Sequence, residues 1–374
     1  MPVSTCRVGP FSQPGIRDFA LHGRSDVVQR CDPTLEFVLH YNFEQKTGAT
    51  SLEIKISLPY SLSPQDLSQF TGNDAGEIDG CRITAADPRV ETADAWFVIE
   101  DLTVNDLSCV VPKDQIHFLS AETAWGRDKF LSSHKRAFLN QFHAVHTFYP
   151  TKHRRKHFAP PFLPWMINAN HGTVFRPHRR DLNFLTGLES LPKSQPLSMF
   201  CSSQTWRPEH QRRLEFAKFA KSYFGDDLVW FGNGINEIDE KWDGLASFER
   251  SIVLENTTQP GVFSEKVLDP FLALSLPIYS GSPDIARNFP IKPDHMLDLS
   301  DFDASVKTIA DLLKRDVSDA EREAIHVGKD AVLNRHHFLR RICRIAKATA
   351  TRTFRTSRPR FQSLQPSAAF QAAS

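Results

Sequence analysis

SIVLENTTQPGVFSEKVLDPFLALSLPIYSGSPDIARNFP, residues 251–290, reads as a buried strand that ends in a polar pair, then a loop, a helix, and a second strand ending in glycine. In open α/β sheets ligands bind beyond the carboxyl ends of the strands, where Glu255, Asn256 and Gly281 fall. Ser264 is a good N-cap for the helix, so the free amides of its first turn point toward the same crevice. Lys266 in that turn opposes the helix dipole, a local cost that makes sense if an anion sits there. Spacing alone leaves a second reading open, in which Glu265 and Lys266 are solvated first-turn residues.

Working outward, the pattern repeats. LSMFCSS (197–203) and LVWFG (228–232) read as strands around a helix over 208–224, and Trp242 to Phe248 reads as a short helix. The 276–281 stretch is another strand, and 303–315 another helix. Strands alternating with helices of this length imply βαβ units and a parallel sheet. Upstream, LEFVLHY (35–41), LEIKISL (52–58), AWFVIEDL (95–102), IHFLSAE (116–122) and AVHTFY (144–149) read as strands of a first α/β domain, with helical spacing over 127–142.

The expected organisation is an N-terminal arm (1–30), a first α/β domain (31–150), a basic, proline-rich connection or lid (151–193), and a second α/β domain (194–335). Residues 336–374 follow as a basic helix and disordered tail. From 335 to 374 there are nine Lys or Arg and no Asp or Glu. Phe338, Ile342 and Ile345 share one helical face there, flanked by Arg340, Arg341, Arg344 and Lys347. The stretch 335–355 therefore reads either as a helix lying on an anionic membrane surface or as a closing helix packed on the protein.

The 374 residues favour two domains, and the net charge of +1 provides no global field for a polyanion. No apolar run is long enough to cross a bilayer, and no secretory leader is evident. The six cysteines lack CxxC spacing, so reduced thiols and a cytoplasmic location are expected. FGNGINE (231–237) contains GxG without GxGxxG, and reads as a tight turn. In KHRRKH (152–157), His153 and His157 have i, i+4 spacing, but the flanking Arg and Lys would repel a cation. A solvated basic loop, near an anionic acceptor, suits these residues better than a metal site, and no metal site is expected.

The 251–290 segment resembles the donor-binding motif of the α-1,3-fucosyltransferases of glycosyltransferase family 10. Glu255-Asn256-Thr257, Ser264-Glu265-Lys266, Pro277-Ile278-Tyr279 and Gly281-Ser282-Pro283 stand in the order and at the spacing of that motif. The resemblance implies a GT-B-type fold, two Rossmann-like domains facing a cleft. It implies an inverting transferase moving fucose from GDP-fucose to a hydroxyl of an oligosaccharide or glycolipid acceptor, as in lipopolysaccharide synthesis, without an obligatory metal or other cofactor. It further implies donor contacts from Glu255, Asn256, Val262, Ser264, Glu265, Lys266 and Gly281. QRRLEFAKFA (211–220) is similar to the family's arginine-bearing helix, which points to Arg213, or failing it Arg212, as a ligand of the donor diphosphate. An exposed helix face is the alternative for both arginines.

IHFLSAETAW (116–125) is similar to the strand that ends in the family's catalytic base, which makes Glu122 the implied base. An inverting transfer needs one carboxylate to take the acceptor proton. A helix cap or ion-pair partner is the alternative role for Glu122, and Glu100 and Asp101 are further candidates of the same kind. The chain departs from the pattern at Val262, where an aromatic residue is common, and at Ser280, where some relatives carry Trp. Both positions touch the expected sugar or base pocket, so a different nucleotide sugar stays open as donor. Binding of nucleic acid through 152–157 and the basic tail would explain neither the Glu-Asn nor the Ser-Glu-Lys segment, and no nucleic-acid partner is expected.

Overall fold

Short runs of β-branched and aromatic residues become strands, and Ser- or Asp-capped stretches become the helices between them. The computed structural model describes residues 51–58, 64–102, 108–121, 132–169, 179–205, 208–353 and 360–365. In chain order these form β1 (Leu52–Ser57), α1 (Pro64–Thr71), β2 (Glu77–Ile78), β3 (Cys81–Ala85), β4 (Ala95–Ile99), β5 (Ser108–Val111), β6 (Ile116–Leu119), α2 (Ser133–Leu139), β7 (Ala144–Thr147) and β8 (Lys156–Phe158). There follow α3 (Leu182–Gly187), β9 (Gln195–Phe200), α4 (Pro208–Phe224), β10 (Leu228–Phe231), β11 (Phe248–Leu254), α5 (Glu265–Leu272), β12 (Leu276–Ser280), α6 (Phe302–Leu313), α7 (Asp319–Asp330), α8 (Phe338–Thr353) and β13 (Arg360–Ser363).

Two main sheets result. The first has the order β2-β3-β1-β4-β6-β7-β8 and is parallel except for the short β2–β3 pair. The second, β10-β9-β11-β12, is wholly parallel. The α/β class with parallel sheets expected from the alternation is what the chain forms. Both sheets lie within one compact unit, Thr50–Ser374. Central strands of such sheets are covered on both faces and read as continuous apolar runs; every residue of Ala95–Ile99 is buried, as is every residue from Arg250 to Leu254 in β11.

In the second sheet α4 carries the chain from β9 to β10, and α5 carries it from β11 to β12 on the other side. Strand order thus diverges between β9 and β11. The crevice beyond the carboxyl ends of these two strands is the place where open sheets bind ligands.

Several expected elements differ. The helix read over 127–142 is Ser133–Leu139 among the described residues, capped by the Ser132 hydroxyl. In place of a helix from Trp242 to Phe248 there is a 3-10 turn over Lys241–Gly244, and Phe248 already belongs to β11. Gly244 explains the short turn: a Cβ there would lie 2.5 Å from Phe200 Cζ, so the chain is pressed against the sheet. The stretch expected as a connection or lid adds β8 to the first sheet, and it buries Phe162, Trp165, Ile167 and Ala169 in the largest apolar core. Between β8 and Met166 its prolines leave no regular structure, but its large apolar side chains still pack. Helix α7 was not anticipated because few apolar positions mark it; its signal is the capping box formed by Ser318 and Glu321. The strand at 35–41 and the 1–30 arm lie outside the described residues.

Helix α8 resolves the two readings of the basic tail. Phe338, Leu339, Ile342, Cys343 and Ala346 are buried in the largest core, with Ile345 packed against it. Its cations are engaged too: Arg340 pairs with Asp79 at 2.9 Å, and Arg341 donates to the carbonyls of Pro160 and Pro161 while lying 3.7 Å over the Phe162 ring. The apolar face is therefore spent on internal packing, as the closing-helix reading requires. The disordered tail is corrected in part, since Arg360–Ser363 pairs antiparallel with β5. Among the described residues no helix is long and apolar enough to cross a membrane.

Candidate functional site

Strand β11 ends at Leu254, and the next residue, Glu255, turns into the carboxyl-end crevice. Its carboxylate accepts from the Ser264 amide at 2.8 Å and from the Ser264 hydroxyl at 2.6 Å. Ser264 in turn caps α5, its oxygen accepting from the Lys266 amide at 3.4 Å. Thus Glu255 fixes the first turn of α5 against the strand end, and a serine cap of this kind stabilises by about 1 kcal/mol. Burial pushes the Glu255 carboxyl up, against the opposing pull of the Lys266 charge and the two Ser264 hydrogen bonds.

The ammonium of Lys266 donates to Glu265 Oε1 at 2.8 Å and to the Ser264 hydroxyl at 3.3 Å, and its side chain is 22% exposed. Burial works against its charge, but Glu265 and Glu255 outweigh that and raise its pKa. Burial also works against the Glu265 carboxylate, yet the charges of Lys266 and Lys241, together with the Lys266 hydrogen bond, hold it at about 2. The pair is therefore ionised at neutral pH. Glu265 holds the ammonium beside the helix start.

Arg213 reaches the same edge from α4. Only 5% exposed, it donates through Nη1 to the Leu254 carbonyl at 3.2 Å, while its Nε has no partner and no carboxylate pairs with it among the described residues. Its charge acts on Lys266, and both cations act on the Cys201 thiol at the end of β9, which burial pushes up. Two cations thus converge on the switch point between β9 and β11; Glu265 and Glu255 offset Lys266, and no carboxylate among the described residues pairs with Arg213. The buried Asn256 Oδ1 beside them is also without a partner. A buried guanidinium without a counter-ion is costly, and an anionic ligand would relieve that cost.

Gly281 contributes by its lack of a side chain. A Cβ there would lie 2.3 Å from the Tyr279 hydroxyl and 2.7 Å from Glu255 Cγ, so glycine is what lets these groups meet. The Tyr279 hydroxyl accepts from the Ser282 amide at 3.0 Å, and burial pushes its pKa up. The Ser282 hydroxyl and the Asp284 carboxylate both accept from the Gly261 amide, pinning the β11–α5 loop.

Val262 packs against the side chains of the first sheet. It is wholly buried in an apolar cluster with Trp96, Val98, Phe118 and Phe138, a packing position. Gln259 explains the placement: its amide donates to the Phe148 carbonyl at 2.8 Å, drawing the loop onto the first sheet. Lys241 was missed by the sequence reading. It donates to Asp269 at 2.8 Å and adds charge beside Glu265, while Asp269 also accepts from the Met166 amide. No local spacing signals it, because it approaches α5 from a turn 24 residues upstream of Glu265.

Glu122 lies outside the described residues. The chain just before it is well placed: the Ala121 amide donates to Glu100 Oε1 at 2.6 Å, and Lys135 donates to the Glu100 carbonyl. Glu100 adopts a left-handed backbone with φ of 62°, a conformation unusual for a residue other than glycine. It braces the ends of β4 and β6. Asp101 accepts from the Leu102 amide at 2.9 Å. The chain's single Asp-x-Asp, Asp301-Phe302-Asp303, is placed as a helix start, with Asp301 capping α6 through the Ala304 amide. His153 accepts from the Arg155 amide and lies 3.2 Å from the Phe142 carbonyl, and among the described residues no group of three or more His, Cys, Asp or Glu could hold a metal.

No protein-family model and no curated protein matches the chain. It is similar in structure to a crystal structure of an α1,3-fucosyltransferase, at 17% identity and a TM-score of 0.49, over 82% of this chain and 92% of that one. It is likewise similar to an α1,3-fucosyltransferase with GDP-fucose, at 17% identity and a TM-score of 0.44 over 76% and 85% of the two chains. A third, with GDP, gives 17% identity and 0.45 over 76% and 84%.

Proposed function

We propose that the chain is an inverting glycosyltransferase that binds GDP-fucose at the carboxyl edge of β9 and β11 and transfers fucose to a hydroxyl of a glycan acceptor. The observation that carries the reading is the buried Arg213, unmatched by any carboxylate among the described residues, beside Lys266 at a serine-capped helix start. Fixed cations of this kind stabilise negative charge that develops on a departing diphosphate. The resemblance of residues 251–290 to the fucosyltransferase donor motif supplies the choice of sugar and base.

In this reading Glu255 holds the first turn of α5, Glu265 orients the Lys266 ammonium, and Arg213 and Lys266 take the two phosphates. Glu122 accepts the proton of the acceptor hydroxyl as the new glycosidic bond forms and the bond to the diphosphate breaks. The nucleotide leaves as its anion, so no acid is needed on the leaving group. With two side-chain cations on the diphosphate, transfer proceeds without an obligatory metal, and activity should persist in EDTA.

The test is nucleotide protection. GDP should raise the melting temperature, since a ligand at a hundredfold excess over its Kd stabilises by about 2.7 kcal/mol. Lys266→Ala should weaken GDP about tenfold or more, because a charge-assisted hydrogen bond contributes about 1.5–3 kcal/mol. GDP affinity unchanged in both Lys266→Ala and Arg213→Ala would refute the assignment, and a screen of GDP-fucose, GDP-mannose and UDP-sugars would identify the donor.

A further inference from the structure

Strand β8 is the edge of the first sheet, and Lys156, His157 and Phe158 are all exposed along it. Phe158 is 64% exposed, the most exposed large apolar side chain among the described residues. It is not isolated from the candidate site. Gly261, in the loop between β11 and α5, approaches so closely that a Cβ on it would lie 2.8 Å from Phe158 Cζ, and its φ of 73° suits glycine. That loop is held in place from both sides, by Gln259 on the Phe148 carbonyl and by Ser282 and Asp284 on the Gly261 amide. The ring therefore stands at the border of the donor loop with most of its surface open to solvent.

The chain leading into β8 is strongly cationic. Lys152, Arg154, Arg155 and Lys156 fall within five residues, all exposed. Among the described residues none of the four pairs with a carboxylate. Arg155 lies 3.3 Å from His143 Nδ1, and Lys156 donates to the Thr151 carbonyl. Alternation along the strand sends Lys156 and Phe158 to one side and His157 to the other, where it stacks on His146 at 4.9 Å. One side of this edge thus carries an open aromatic ring next to unneutralised positive charge.

We propose that Phe158 and the cationic run Lys152–Lys156 bind the acceptor, and that this acceptor is an acidic saccharide whose anionic group lies next to the sugar stacked on Phe158. The inference rests on the transferase reading and adds the chemical class of its acceptor. An aromatic face offers the apolar C–H side of a pyranose a flat surface, while the cations select a carboxylate or phosphate beside it and steer its approach. The donor cations Arg213 and Lys266 stand on α4 and α5, the helices of the second sheet, apart from β8.

Binding to the full-length protein tests this with matched probes: digalacturonate against neutral digalactose, and mannose 6-phosphate against mannose. The expected result is that the anionic partner of at least one pair binds about tenfold or more tightly, the size of a charge-assisted contact. The better-bound pair identifies carboxylate or phosphate as the anion. The double variant Lys152→Glu, Arg154→Glu should erase the preference, and Phe158→Ala should weaken the charged and neutral probes alike, while the GDP-induced rise in melting temperature stays as in the wild type. Equal affinity for charged and neutral probes, a preference that survives charge reversal, or full affinity in Phe158→Ala would overturn the proposal. A missing GDP effect with the saccharide pattern intact would instead sink the donor assignment and leave the saccharide site standing.

Discussion

His337 makes the stability of this protein depend on pH in a way that one substitution can isolate. It is the residue before α8. Its Nδ1 accepts from the amides of Leu339 and Arg340 at 3.2 and 3.4 Å, and its Nε2 donates to the Phe70 carbonyl at 2.8 Å. The ring packs 4.8 Å from Trp165 and is 1% exposed. Every position around the imidazole requires the neutral form, because a proton on Nδ1 would face two N–H groups. Burial is the main cause that lowers its pKa to about 3, the charges of Arg340 and Arg344 act in the same direction, and the Phe70 hydrogen bond acts against them. Between about pH 6.5, the unfolded value, and pH 3 the unfolded chain therefore holds one more proton than the folded chain at this site. The stability from His337 is present above pH 6.5 and is lost as pH falls. The loss is about 1.4 kcal/mol per pH unit once the unfolded imidazole is charged, or about 2 kcal/mol between pH 7.5 and 5. His337→Asn keeps an oxygen to cap α8 but abandons the Phe70 carbonyl and leaves space beside Trp165. It should cost about 2–4 kcal/mol at pH 7.5. That cost should shrink by about 2 kcal/mol at pH 5, because the variant has no imidazole to neutralise. Urea unfolding of both proteins at several pH values reads the difference directly, and other titrating groups cancel in it. Parallel stability–pH curves would refute the reasoning.

Glu122→Gln should abolish most transfer while leaving nucleotide protection intact, because a positioned base contributes about 10²–10⁴-fold in rate; activity within a few-fold of wild type, with Glu100→Gln dead, would move the base by one strand. Val262→Ala should lower stability by about 1–3 kcal/mol through loss of packing and leave GDP affinity unchanged; a selective loss of GDP affinity would return Val262 to the donor pocket. Truncation after Arg335 removes the buried face of α8 and should yield no folded protein, as judged by circular dichroism and solubility. A folded, soluble truncate would show that α8 is dispensable to the core.

The second sheet was legible in the sequence because its central strand β11 is nearly all buried and α5 and α6 begin at visible caps. Ser264, Asp301 and the uninterrupted 208–224 run mark local events that depend on a few neighbouring residues. The gathering of Glu255, Ser264, Glu265 and Lys266 was legible for the same reason, since one loop and one helix turn bring them together. Other features depend on contacts distant in sequence. Val262 sits in an expected ligand position, yet the pull of Gln259 on Phe148 turns it into the first sheet's core. Lys241 joins the site through Asp269, and Phe158 meets the β11–α5 loop only because that loop is tied to both sheets. For α8 the periodicity established an amphipathic helix and stopped there, because an apolar face is equally satisfied by lipid or by a core. The choice went to the core, where Phe338 packs on Phe70 at 5.1 Å and Arg341 closes over Phe162, contacts that no local pattern encodes.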